Sequence, residues 1–256
     1  MYQPTLVNKR KLYVNDKITV HIPTLKEIQG DSVVSDGNDE DENKYWELVN
    51  LFVATSTDMM VQLDDAGKDF TTVTDYSIFL SLFNSTDKSL LREKSWLLFD
   101  NINLADFEVS INRGNDQIVL YDPTHEVVID ELLYMRLSAI FCTINNMKKN
   151  HRKMGNETAR KYVIERERLK QKRRHSRHNE QIGSRFDKQI IALVNNQNFK
   201  YNYETVKELT VYNFLMSFKQ IAHKYNVDNL NIGVFTGNIK FGDVKNKLDW
   251  TEFDNK

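Results

Sequence analysis

Residues 148–178 carry 13 Lys and Arg side chains against 3 Glu, a local charge of +10. A segment of that composition cannot enter an apolar interior, because each unpaired charge would lose its hydration. It must run over a surface, bridge two packed parts, or lie on an acidic partner. The whole chain is close to neutral, at −1, so the remainder holds 22 basic and 33 acidic residues. Charge is therefore segregated along the chain. That segregation points to an electrostatic partner for the basic part, or to the acidic body of another copy.

The rest of the chain can build a core. Of 256 residues 40% are hydrophobic, and a length of this order allows one large domain or two small ones. With only 9 glycines and 3 prolines, long helices are favoured over a turn-rich all-β fold. Cys142 is the single cysteine and sits in the apolar run Ala139-Ile140-Phe141-Cys142, so no disulfide forms within the chain and burial is expected. No apolar stretch approaches the roughly 20 residues of a membrane span. Met1-Tyr2-Gln3-Pro4 opens no apolar signal region. These features imply a soluble, intracellular, cytosolic protein that does not engage a membrane.

Periodicity predicts an α+β fold, mostly helical, with an N-terminal hairpin, a small antiparallel meander and a long basic helix. Lys11-Leu12-Tyr13-Val14 and Lys17-Ile18-Thr19-Val20 alternate around the two-residue turn Asn15-Asp16. Thr24 and Glu27 have the spacing of a capping box for a short helix. Residues 30–43 hold six carboxylates and no cation, which predicts an acidic loop. Asp36, Asp39 and Asp41 in it lack the ligand order and closing Glu of a calcium loop. Helical spacing returns over 44–54, 75–83 and 89–99. Three strands follow over 107–130, with turns at Arg113-Gly114-Asn115-Asp116 and Asp122-Pro123-Thr124. Residues 131–147 read as a buried helix, apolar almost all round. Residues 156–177 form the basic helix, with Glu157 and Lys161 as an i,i+4 pair. Residues 185–195 and 210–225 are amphipathic helices, the second capped by Thr210. Trp250 is expected to anchor the tail. The domain reading is a mixed α+β domain over 1–147, a basic helical connector over 148–184 and a helical part over 185–256.

Each chemistry-bearing cluster has a plainer structural explanation. The basic segment has one aromatic, Tyr162, so it offers no base-stacking platform, although its charge would suit phosphates. Lys148, Lys149, Arg152, Lys153, Arg166, Lys170, Lys172, Arg173, Arg174 and Arg177 are the candidate partner-binding residues. His175 and His178 share a helix face, but neighbouring arginines repel a dication and no Cys or Asp completes a ligand set. Asp64-Asp65 and Asp130-Glu131 are expected to cap helix or strand ends rather than act as an acid–base pair. Gly233, Gly237 and Gly242 fit no dinucleotide fingerprint, and neither a serine elbow nor a zinc-protease motif occurs. The sequence therefore implies no catalytic residues, no metal and no cofactor.

Several stretches together resemble a family. They are Pro23-Thr24-Leu25-Lys26-Glu27-Ile28, Met60-Val61-Gln62-Leu63-Asp64-Asp65-Ala66-Gly67, Arg160-Lys161-Tyr162-Val163-Ile164-Glu165, Phe199-Lys200-Tyr201-Asn202-Tyr203 and Gly233-Val234-Phe235-Thr236-Gly237. The series resembles bacteriophage and prophage proteins of Gram-positive hosts, some of them tail-module proteins similar to tail assembly chaperones. The resemblance runs over most of the chain, about 12–250, and its motifs are packing and turn elements. It implies binding to a tape measure protein or to tail tube subunits through protein–protein contacts. A structural virion component, such as a neck or tail completion protein, and a nucleic-acid binder using the basic helix are the alternatives.

Overall fold

A computed structural model describes residues 6–30, 40–112, 114, 116–178 and 185–251, without the side chains of 174–178. The fold is α+β: helices dominate, with two small antiparallel sheets. The chain opens with strands β1 (Lys11–Tyr13) and β2 (Thr19–His21). Their register pairs Leu12 with Val20 and Tyr13 with Thr19. The connecting loop is one residue longer than the predicted two. Asn15 Oδ1 accepts the backbone N–H groups of Lys17 and Ile18, at 2.9 and 2.7 Å, and this side-chain turn takes in Lys17. Helix α1 (Leu25–Gln29) carries the expected capping box, reciprocal between Thr24 and Glu27.

Helix α2 (Glu40–Val53) starts four residues before the predicted 44. Glu40, Asp41 and Glu42 form its first turn, where carboxylates offset the positive end of the helix dipole. This corrects the end of the predicted acidic loop; Asp36, Asp39 and the rest of 31–39 lie outside the described residues. Then come α3 (Met60–Asp65), α4 (Asp75–Ser85, capped by Thr74) and α5 (Lys88–Lys94), which gives way to a 3-10 turn at Ser95–Leu97. The meander is β3 (Glu108–Asn112), β4 (Gln117–Asp122) and β5 (Val127–Ile129), in sheet order β3-β4-β5. Helix α6 (Glu131–Ile144) is capped by Asp130, whose Oδ1 accepts Leu133 N–H at 2.8 Å.

The remaining helices are α7 (Glu157–His178), α8 (Arg185–Val194), α9 (Val211–Phe235) and α10 (Phe241–Val244). Two readings are corrected here. Residues 148–156 are not helical, because Gly155-Asn156 interrupts the run and Asn156 Oδ1 takes the Ala159 N–H as a cap. Helix α9 continues ten residues beyond the predicted 225.

The core centres on Phe52 of α2. Its ring lies 5.1 Å from Phe79, 5.8 Å from Phe99 and 4.8 Å from Phe141, tying α2 to α4, α6 and the segment after α5. The same apolar cluster includes Phe186, Ile190 and Leu193 of α8 and Val211, Phe214 and Leu215 of α9. Backbone bonds support that continuity: Leu25 N–H donates to Leu209 O at 3.0 Å, and Val211 N–H to Pro23 O at 2.8 Å. Residues on both sides of position 148 thus share one interior.

Candidate functional site

The predicted site residues divide between two neighbouring features, a cleft and the outer half of α7. The cleft encloses about 1290 Å³. Its floor is one face of α6: Glu131, Met135, Ser138 and Cys142. One wall is the segment from Phe70 to Tyr76, and the other is the strap from Lys149 to Arg160. That open face corrects the reading of α6 as buried all round. Leu132 and Met135 are 76% and 59% exposed.

The strap is pinned to the body by hydroxyl groups. Thr55 Oγ1 donates to Asn150 O at 2.9 Å, and Arg152 N–H donates to Thr57 Oγ1 at 3.3 Å. Of the predicted residues, Lys149, Arg152 and Lys153 line the cleft, while Lys148 is exposed beside it. Lys149 Nζ donates to Asp75 Oδ2 at 2.9 Å and to the Tyr134 hydroxyl at 3.3 Å, and lies 4.9 Å from the Tyr134 ring centre. Burial would lower the lysine pKa, but Asp75 and Tyr134 outweigh it and the net direction is up. Burial also pushes up the Tyr134 phenol and the Cys142 thiol, against the opposing pull of Lys149. Cys142, half-buried, is thus held as a neutral thiol at neutral pH. Tyr76 is pushed up to about 12 by burial and by Asp130 and Glu131.

Beyond the strap, α7 docks on α3. Ile164 is buried with Met60, Val61 and Phe70. Arg160 pairs with Asp69, and Arg168 pairs with both Asp65 and Asp64, the latter at 2.9 Å. Hydrogen bonds from Thr71 hold Asp69 below the usual carboxylate range, and Arg160 adds to that. Asp64 and Asp65 therefore do not cap. They sit at the C-terminal end of α3 and both pair with Arg168 of the basic helix. The predicted Glu157–Lys161 pair is present at 2.9 Å.

Arg168 ties α7 to the body through Asp64 and Asp65. Lys170 turns to Glu167 of its own helix at 2.8 Å, while Arg166, Lys172 and Arg173 have exposed side chains. The side chains of Arg174 and Arg177, and the proposed His175 and His178 face, lie outside the described residues. Among the described residues, no group of three His, Cys, Asp or Glu side chains is placed to hold a metal, and no helix is long and apolar enough to cross a membrane. Arg160, Arg168, Asp75 and the α6 floor were not among the predicted site residues. Each is separated by tens of positions from what it meets, so no local pattern marks it.

A family model described as YomV second domain matches residues 177–253. YomV is a Bacillus prophage protein, and the match is consistent with a phage-derived chain. The matched stretch holds α8, α9 and α10, and begins at the C-terminal end of α7. No curated protein and no solved structure matches the chain.

Proposed function

We propose that this phage-derived chain is a non-catalytic tail assembly protein, chaperone-like, that binds a tape measure or tail tube protein in the host cytoplasm. The observation that carries the reading is the placement of α7. It is fixed to α3 by Ile164, Arg160 and Arg168, while Arg166 on the same stretch and Arg173 beyond it have side chains exposed to solvent. A cationic helix held rigidly in this way suits an acidic or extended protein surface, because little ordering entropy is lost on docking. The single aromatic of the segment, Tyr162, gives no stacking series for nucleic acid. The prophage match supports the biological class, and the resemblance noted above supplies the tail module.

The test is a pull-down from phage-producing cells with the tagged chain. Recovery of a tape measure or tail tube protein is expected, weakened by added salt and by the double substitution Arg166→Glu, Arg173→Glu. Recovery of no tail protein overturns the reading. Mass spectrometry of purified particles distinguishes a chaperone, absent from them, from a virion component present at fixed stoichiometry.

A further inference from the structure

Helix α9 begins inside the core and ends outside it. Val211 and Leu215 are buried in the main apolar cluster. From Phe218 onward the same face emerges into solvent. Phe218, Ala222, Tyr225, Asn229, Ile232 and Thr236 are all exposed, Tyr225 by 41% and Ile232 by 59%. Counted from Val211, these eight positions alternate steps of four and three residues without a break. That alternation is the seam of a two-stranded coiled coil, and at about 100° per residue it stays on one side of the helix.

The chain's own tail covers the opposite side. Gln220 Nε2 donates to Trp250 O at 2.6 Å, His223 Nε2 lies 3.0 Å from Asp249 O, and Val227 is buried, as is Val244 of α10. Trp250 thus anchors through its carbonyl, the residue itself staying 52% exposed. Among the described residues the tail leaves the seam uncovered. At its edge Asn196 Nδ2 donates to the Tyr225 hydroxyl at 3.1 Å, which fixes that ring without burying it.

The chemistry of the seam favours a second copy over any other occupant. No seam position carries a charge, and the neighbouring Asp228 is paired with Lys224 at 2.7 Å. Two copies can therefore meet there without like-charge repulsion, in a chain whose charge is otherwise segregated. Asn229 is self-complementary, since its amide both donates and accepts. Against an apolar partner it would be orphaned, whereas the same Asn across a twofold axis satisfies it. Thr236 turns its hydroxyl back to Ile232 O at 2.9 Å, which leaves Asn229 as the one amide of the seam, and a single seam Asn also fixes a parallel, in-register pair.

We propose that α9 pairs in parallel with α9 of a second copy over residues 218–236, with Asn229 facing Asn229. The pairing is independent of what α7 binds. Sedimentation of the full chain over a dilution series should give a dimer that dissociates on dilution. Ala222→Glu with Ile232→Glu should halve the apparent mass while leaving the far-ultraviolet circular dichroism and the melt of the monomer unchanged. In a Cys142→Ser background, Asn229→Cys should cross-link the dimer on oxidation. A wild-type chain that is monomeric throughout, a dimer that survives both Glu substitutions, or a dimer that Asn229→Cys does not cross-link, each overturns the proposal.

Discussion

Glu42 joins two helices that are far apart in sequence. It is 2% exposed, and its carboxylate accepts Trp46 Nε1–H at 3.0 Å and the backbone N–H of Phe186 at 3.2 and 3.3 Å. That N–H lies in the first turn of α8, where helix donors have no partner of their own. Arg185 stacks on the same Trp46 ring at 5.2 Å. Glu42→Ala would orphan these donors and should cost about 2–3 kcal/mol, whereas Glu42→Gln keeps an acceptor and should cost about half of that. Urea unfolding followed by tryptophan fluorescence checks the order; equal losses would mean that the bonds contribute little. Asp122 is a second buried carboxylate, held by donors of its own turn. Burial raises its pKa, but hydrogen bonds from the His125 ring at 2.6 Å and from the Thr124 and His125 backbone outweigh burial and leave it below its ordinary 3.8. A carboxyl depressed on folding stabilises above its unfolded pKa and loses that contribution as pH falls through the folded value. Asp122→Asn should therefore destabilise at pH 7, and the gap to wild type should close in melts below about pH 4.

At the scale of elements, α7 shows what charge does here. Arg168 and its partners Asp64 and Asp65 are more than a third exposed, so the pairing contributes only about 0.2–1 kcal/mol. Ile164, buried, contributes more, and Ile164→Ala should cost about 2–4 kcal/mol. Arg168→Glu should speed hydrogen exchange in α7 with little change in the global melt, and adding Asp64→Lys and Asp65→Lys should restore protection. Equal exchange in all three chains would mean that the ion pairs do not hold the helix. The contrast explains which elements were legible in the sequence. Caps at Thr24, Asp130 and Thr210 act over three residues, so a local pattern reveals them. The meander is legible for the same reason, since its strands alternate and its turns carry their own chemistry. Arg168 and Asp64 are 104 positions apart, and only the tertiary fold brings them together. The full length of α9 is not legible, because Asn226, Asp228, Asn229 and Asn231 interrupt its apolar run. The cleft was invisible because its floor and walls come from α6, the segment before α4 and the strap, none of which announces the others.

At the scale of the molecule, charge suggests a division near 148, but the apolar interior crosses it. Phe186, Ile190, Leu193, Val206, Val211, Phe214 and Leu215 are all buried in the cluster built around Phe52. At about 1.5–3 kcal/mol for each buried side chain, their removal withdraws roughly 10–20 kcal/mol, comparable to the entire stability of an ordinary domain. The α1 backbone would also lose its bonds to Leu209 and Val211. A fragment ending at 147 should therefore fail to fold cooperatively, show a broad melt and expose apolar surface to a hydrophobic dye. The full chain should melt in one sharp transition, seen alike by circular dichroism and tryptophan fluorescence. A fragment that melts as sharply as the full chain would show that residues 1–147 fold alone, and that the shared interior is an interface between two units. If instead the fragment collapses, the basic strap and α7 are not a linker between domains. They are then a belt that crosses one body, and the exposed Arg166 and Arg173 side chains are the part of it open to a partner.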